Sequence, residues 1–417
     1  MRKILAAILF CFLGFHSIAQ KTDGWQIIQQ KCTPCHNGKG IAPYNFNYID
    51  DVKNNSNTLL YVIKKDIMPL WFAKRGARHF YNERLLTLNE KDELVKWLDT
   101  LTVKSLPDVK QIYKPLNTRK NNNIKPDKKA FNLTTYHFTE LSDQVFVNYK
   151  KLEPPITGFL KGATITYSED KVVHHGVVYG IDSVNNIKNQ IDSITGFVNG
   201  NGFGDITLGV YAPGVNYALL PDGFGFRIGS VKGLLYETHL LRKTENVSLT
   251  ARVEFYLCKE PVVRNVETIN LANLDDTDPI LPNTIKTYKG SHLLEDTVSV
   301  LALMPHMHKL AVSFNSYAVT PNNDTIPLLD LPKWSFEWQT IYRLDTLLVL
   351  PKNTVIHYKA TFDNTTNNLE NPSNPPGTVW VNQGWSTKNE MLIFGIQYTD
   401  YLPKDEKFKL KWVSIDD

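Results

Sequence analysis

The chain has 417 residues, 42% of them hydrophobic and 21% charged, and a net charge of +4. That length exceeds what one hydrophobic core supports and implies two or three domains. With 19 Tyr and 20 Phe and no long low-complexity tract, the chain is not a disordered one, and scattered basic residues on so weak a net charge give no case for a nucleic-acid partner.

The N-terminus has the form of a secretory signal: Arg2 and Lys3, an apolar run from Ile4 to Phe15, and the small-residue site Ser17-Ile18-Ala19. Residues 1–19 are expected to be removed, leaving a periplasmic or secreted chain beginning at Gln20. A retained anchor is the alternative, but the run is shorter than the ~20 residues a span needs, so no membrane span is expected in the mature chain. Bulky Phe10 before Cys11 fits poorly with lipoprotein processing. Removal of the signal leaves Cys32, Cys35 and Cys258, too few for a disulfide framework.

Residues 20–105 read as a small all-α domain. Trp25, Ile28 and Lys31 share a helical face that runs into Cys32. Thr87 and Glu90 form a capping box ahead of Leu94, Trp97, Leu98 and Leu101 at helical spacing. Between them lies CTPCH, in which Cys32 and Cys35 are placed to form thioethers with haem vinyl groups and His36 to be the proximal iron ligand. A disulfide or half a zinc site is the alternative, and no second cysteine pair completes a zinc site. One covalent c-type haem is therefore expected. Its sixth ligand is Met68, followed by Pro69, or else His79. A thioether raises the potential and suits electron transfer, whereas an open position would suit gas binding.

Residues 106–133 read as a linker, Pro-containing and with three consecutive Asn. From Leu106 to Lys129 it holds seven Lys or Arg against two Asp, a solvated run or an anionic-partner surface. Beyond it the period becomes two, as in Val247, Leu249, Ala251, Val253, Phe255 and Leu257, and in Ile356, Tyr358, Ala360 and Phe362. Two all-β sandwich domains of jelly-roll-like form are expected, 134–265 and 266–417, divided at the polar stretch Glu260 to Asn283.

Histidines cluster at three places in the β region. The residues from Val298 to Phe314 at even numbers share one strand parity, which sets His306 and His308 on an apolar face where they could share a metal or be hydrogen-bonded core residues. His174 and His175 are adjacent and could meet at one metal only where the strand is distorted; Gly176 offers a place for a bulge. His239 shares parity with Leu235 and Leu241 and would pass equally as an ordinary core residue. His137 and His292 belong to no motif, and His357 has the parity of Lys359, a solvent face.

Four segments, taken together, resemble the copper type II monooxygenases, the enzymes that include the peptidylglycine- and dopamine β-hydroxylating proteins. They are Tyr167 to Tyr179 with its HH, Leu235 to Leu240 with its His, MPHMHKL at Met304 to Leu310, and GWSTKNEM at Gly384 to Met391. The resemblance spans about Thr134 to Leu402. The segment MPLW, with LTLNEKDELVKWL after it, resembles the cytochrome fused ahead of such domains in bacterial relatives. Carried over by residue, the resemblance implies two copper ions: an electron-storing copper held by His174, His175 and His239 on the first sandwich, and an oxygen-binding copper held by His306, His308 and Met391 on the second. Imidazoles hold copper in both oxidation states and a thioether favours Cu(I).

The implied activity is hydroxylation of a C–H bond of an organic substrate with O2. The family takes its electrons from ascorbate; here the haem would replace or relay for that donor, a small reductant or redox protein. Where the amidating enzyme holds its peptide carboxylate with an Arg, an Asn and a Tyr, this chain has Met304, Ile393 and Gly395, so a C-terminal glycine peptide is not the expected substrate. The family's disulfides are missing too. The alternative is a non-catalytic electron-transfer or copper-binding protein.

Overall fold

The computed structural model describes residues 23–38, 42–74, 78–103, 126–138, 145–182, 206–212, 217–240, 247–271, 278–336, 338–382 and 388–415. The expected signal segment and most of the expected linker lie outside them. Among the described residues no helix is long and apolar enough to cross a membrane.

Four helices come first: α1 (Gly24–Lys31), α2 (Ile49–Asn54), α3 (Ser56–Lys64) and α4 (Leu88–Val103). Asp23 caps α1 by accepting the Gln26 N–H at 2.8 Å. The capping box ahead of α4 forms in both directions: Thr87 N–H donates to the Glu90 carboxylate at 2.7 Å and Glu90 N–H to Thr87 Oγ1 at 3.1 Å. Ile27, Ile28, Leu94 and Leu98 are fully buried and meet Phe46, Leu59 and Ile63 in one small core. Gly24 lets α1 and α4 close on one another, because a Cβ there would sit 2.4 Å from the Trp97 ring.

The remainder is β structure: β1 (Asp127–Phe138), β2 (Val145–Tyr167), β3 (Val173–Ile181), β4 (Ile206–Tyr211), β5 (Ala218–Leu219), β6 (Phe224–Leu240), β7 (Val247–Leu257), β8 (Arg264–Leu271), β9 (Ile285–Leu293), β10 (Val298–Met307), β11 (Ala311–Val319), β12 (Thr325–Leu331), β13 (Tyr342–Leu350), β14 (Val355–Asp363), β15 (Leu392–Asp400) and β16 (Val413–Ser414). One large sheet runs β1-β7-β2-β6-β8-β15-β10-β13, with β3 attached at β6 and β4 at β3, and a second runs β12-β11-β14-β9. Pro154 and Pro155 of the long strand β2 fall in the register shift between Lys151 and Ile156, where a missing N–H costs no ladder bond. Tyr236, Leu249, Val253 and Phe255 fill the core of the earlier group of strands. Phe314, Tyr358 and Phe362 pack against Leu301, Leu303 and Phe394 in the later one.

Three expectations change. The strand β1 starts at Asp127, inside the segment read as linker, and its register with β7 begins at that residue. The polar stretch read as an internal break contains β8, which pairs in parallel with β6 through Phe224 and Arg264 and antiparallel with β15 through Phe394 and Leu271. That strand crosses the expected 265/266 boundary and makes the two groups one sheet. Finally, the single parity from Val298 to Phe314 does not run through: a bulge between Val300 and Ala302 reverses it, so Leu301, Leu303 and Met307 point into the core while His306 takes the other face.

The helical segment is docked on the later strands. Phe80 bridges to Leu344, Tyr81 N–H donates to Arg343 O at 2.7 Å, and Asn82 spans Ile341 O at 2.8 Å and Arg343 N at 3.1 Å. Trp71 and Phe80 each stand edge-on to Tyr342 with ring centroids 5.3 Å away.

Candidate metal centre

His175 on β3 lies directly opposite His239 on β6, and the register shifts between Val173 and His175. The distortion needed to bring adjacent histidines together is present, at His174, two positions earlier than Gly176. It turns His174 toward the same side, so that Nδ1 of His174 and Nδ1 of His175 approach to 2.9 Å. One nitrogen from each of His174, His175 and His239 lies within 4.8 Å of the others, and all three residues are buried. Gly176 has its own task. A Cβ there would sit 2.0 Å from the Tyr167 hydroxyl, which lies over the backbone and pairs with Thr238 Oγ1 at 3.2 Å.

A carboxylate that motif reading passed over completes this group. Glu237, two residues before His239, places Oε1 3.2 Å from His175 Nε2. A carboxylate on one ring nitrogen fixes the tautomer and leaves the other, here Nδ1, with its lone pair toward the neighbouring imidazoles. The i, i+2 spacing on a strand was a readable signal, since both side chains must share a face.

The second pair is held from behind as well. His306 Nδ1 meets Gln339 Oε1 at 2.6 Å, and His308 Nδ1 donates to the Asn389 carbonyl at 2.9 Å. In each ring Nε2 therefore keeps the lone pair that a metal needs. Burial, then the neighbouring His175, pulls His306 down to about 4, and burial with His306 beside it holds His308 well below its ordinary value, so both rings are neutral at pH 7.

Glu390 joins the last two expected ligands. It is fully buried; Oε1 accepts the Leu310 N–H at 2.6 Å, and Oε2 accepts those of His308 at 2.9 Å and Met391 at 3.3 Å. Burial pushes its carboxyl up to about 8 while the three N–H donors pull the other way. Met391, itself buried, is thereby tied to His308 through one side chain. Residues 384–387 of the GWSTKNEM segment lie outside the described residues.

The expected sites, one on each sandwich, meet. His175 and His306 have ring centroids 6.2 Å apart, and His306 and His308 5.3 Å apart. Phe336 sits among them, stacked on His174 at 4.2 Å and within 6.1 Å of His175, His239 and His308. Four imidazoles thus lie around one phenyl ring, and His306 joins them through His175 and His308. On the face of His306 the cross-strand register places Ile393 opposite it and Gly395 opposite Met304, an approach with no cationic side chain among these three.

Cys32 and Cys35 in the helical segment, and Cys258 just after β7, are free thiols. Burial, then Cys35, pushes the Cys32 thiol up to about 12. His36 directs Nδ1 to the Pro43 carbonyl at 2.5 Å and stacks on Phe46, leaving Nε2 as the acceptor nitrogen. Met68 is half-buried, whereas the His79 side chain is 80% exposed and paired with Glu83 at 3.2 Å. His357 stacks on Tyr317 on an outer face, and the side chain of His137 lies outside the described residues.

The chain matches no protein-family model and no curated protein. Among solved structures, the major capsid protein P2 of bacteriophage PM2 matches at 9% identity over 67% of this chain and 100% of that one, with a TM-score of 0.28. The VP2 subviral particle of infectious bursal disease virus gives 12% identity over 70% and 76%, TM-score 0.17, and allantoicase 9% over 68% and 80%, TM-score 0.16. Likeness at that level carries no argument about this chain.

Proposed function

We propose that this chain is a copper-dependent monooxygenase that hydroxylates a C–H bond of an organic substrate, with electrons entering through a haem attached at Cys32 and Cys35 and ligated by His36 and Met68. The observation that carries the reading is the convergence of His174, His175, His239 and His308 around Phe336, with His306 6.2 Å from His175 and 5.3 Å from His308. The donor set fits the metal: imidazoles whose second nitrogens are held by Glu237, Gln339 and the Asn389 carbonyl, with a thioether at Met391. The His36 hydrogen bond to Pro43 likewise fits a proximal haem ligand, and the exposure of His79 favours Met68 as the sixth.

Copper bound by these residues would supply one-electron redox chemistry and a place for O2 to bind. The overall reaction consumes the substrate, O2, two electrons and two protons, and yields the alcohol and water. The protein's own share is positional. Glu390 fixes the spacing of His308 and Met391 through their backbone N–H groups, and Phe336 keeps water from the histidines. Met304, Ile393 and Gly395 present an apolar approach to His306, which suits a substrate without a carboxylate to anchor. His306 is the half-buried member of a group whose other imidazoles are buried, so a substrate reaches it first.

Burial of His174, His175, His239 and His308 is also what a non-catalytic copper and electron carrier would show. Metal analysis and optical spectroscopy of the pure, signal-processed chain test the reading: two coppers and one haem per chain are expected, and no copper after careful loading rejects it. Oxygen uptake matched by a hydroxylated product separates the enzyme from the carrier.

A further inference from the structure

The helical segment and the histidine group are joined by one run of contacts. Arg84 is buried, 7% exposed, and its Nη1 lies 2.9 Å from Cys35 Sγ. Its guanidinium carbon stands 5.3 Å from the ring centroid of Trp338, which is 6% exposed. The indole Nε1 of Trp338 is buried without a hydrogen-bond partner among the described residues, so stacking rather than a polar bond holds the ring. The next residue, Gln339, bonds His306 Nδ1 at 2.6 Å and donates from Nε2 to Phe336 O at 3.2 Å. The Tyr81 backbone N–H and the Asn82 side-chain amide, bonded to the 341–343 segment, hold the two ends in place.

Taking the haem and copper of the preceding section as given, we propose that Arg84, Trp338 and Gln339 form the electron path between them. Electron tunnelling favours bonded, hydrogen-bonded and aromatic contacts over gaps, and this run offers all three from the Cys35 sulfur to the His306 ring. Along it one electron passes from haem iron(II), which becomes iron(III), to copper(II) at His306, which becomes copper(I). No atom is transferred and no proton need move. The path fixes a direction: electrons reach the His306, His308 and Met391 site without first crossing His174, His175 and His239. Arg84 and Trp338 are positioning and relay residues, and neither is placed to touch substrate.

The test uses the full-length holoprotein with its haem reduced by a light pulse under anaerobic conditions, following haem oxidation optically and the copper(II) signal by electron paramagnetic resonance. In Trp338→Leu the internal transfer is expected to slow about tenfold or more, with haem content, copper content and haem potential unchanged, and Trp338→Phe is expected to recover most of the rate. An unchanged rate in a fully loaded Trp338→Leu protein overturns the path. Where that variant does not fold or load, Arg84→Met decides: the same loss supports the path and an unchanged rate overturns it. A wild-type chain lacking haem or copper overturns the functional reading itself and the path with it, and metal analysis distinguishes that failure from a slow or unaffected transfer.

Discussion

Glu237 Oε1 lies 3.2 Å from His175 Nε2, across the ladder that joins β6 to β3, and this one contact decides which nitrogen of His175 faces its neighbours. Glu237→Gln keeps the shape and removes the charge. Copper affinity at the three-histidine group is expected to fall about 10- to 100-fold, read by competition with a chromophoric chelator. Unaltered affinity would remove Glu237 from the site.

Gly176 is expected to tolerate no side chain. Its Cβ position lies 2.0 Å from the Tyr167 hydroxyl oxygen and 3.1 Å from the ring carbon that carries it. Gly176→Ala should cost about 1–3 kcal/mol in urea unfolding and displace the bulge at His174. Adding Tyr167→Phe removes the closest atom, so the double variant should regain part of the loss. Equal stability of the single and double variants would show that the clash is relieved elsewhere.

Acid sensitivity is expected at Asp405, which is buried and takes two bonds from Arg264 and one from Ser299 Oγ at 2.6 Å. Burial alone would raise its carboxyl; hydrogen bonds from Arg264, the Leu402 N–H and Ser299 outweigh that and hold it below its ordinary 3.8. A depressed folded value means stabilisation that is complete above the unfolded value and lost as pH falls through the folded one. Asp405→Asn should therefore cost about 3–5 kcal/mol at neutral pH, because Arg264 stays buried without its counter-ion. The gap between variant and wild type should close on acidification below about pH 4. Melting curves across pH 2 to 7 check this; a gap that stays constant with pH would rule out the ion pair as its source.

Loss of the Thr87 cap should be local. Thr87→Ala removes the acceptor for Glu90 N–H and is expected to lower stability by about 0.5–2 kcal/mol. Thr87→Ser should restore it, and hydrogen exchange confined to the first turn of α4 would report the fraying.

Features carried by short-range pattern were legible in the sequence. The capping box and the need for a distorted strand at His174 each depend on residues a few positions apart. What was not legible depends on register. A bulge at Val300 and Ala302 turned the face of His306, and no parity count reveals a bulge when both faces of a strand are apolar. Gln339 and Phe336 reach the histidines from an irregular segment with no periodicity to read. The merging of the two groups of strands turned on β8, whose Glu267 and Thr268 look like a polar break but occupy the exposed positions of a strand paired on both edges.

That strand has a mechanical consequence. The ladder of β6 to β8 is short, from Phe224 to Phe226, and about 40 Å of strand separates it from His239, whose neighbours are clamped on Phe336. A beam fixed at one end can swing; fixed at both, it can only flex. The halves of this molecule are therefore not a pair of jaws. Any ligand of the histidines would have to enter by local movement of side chains rather than by hinging of the two groups of strands.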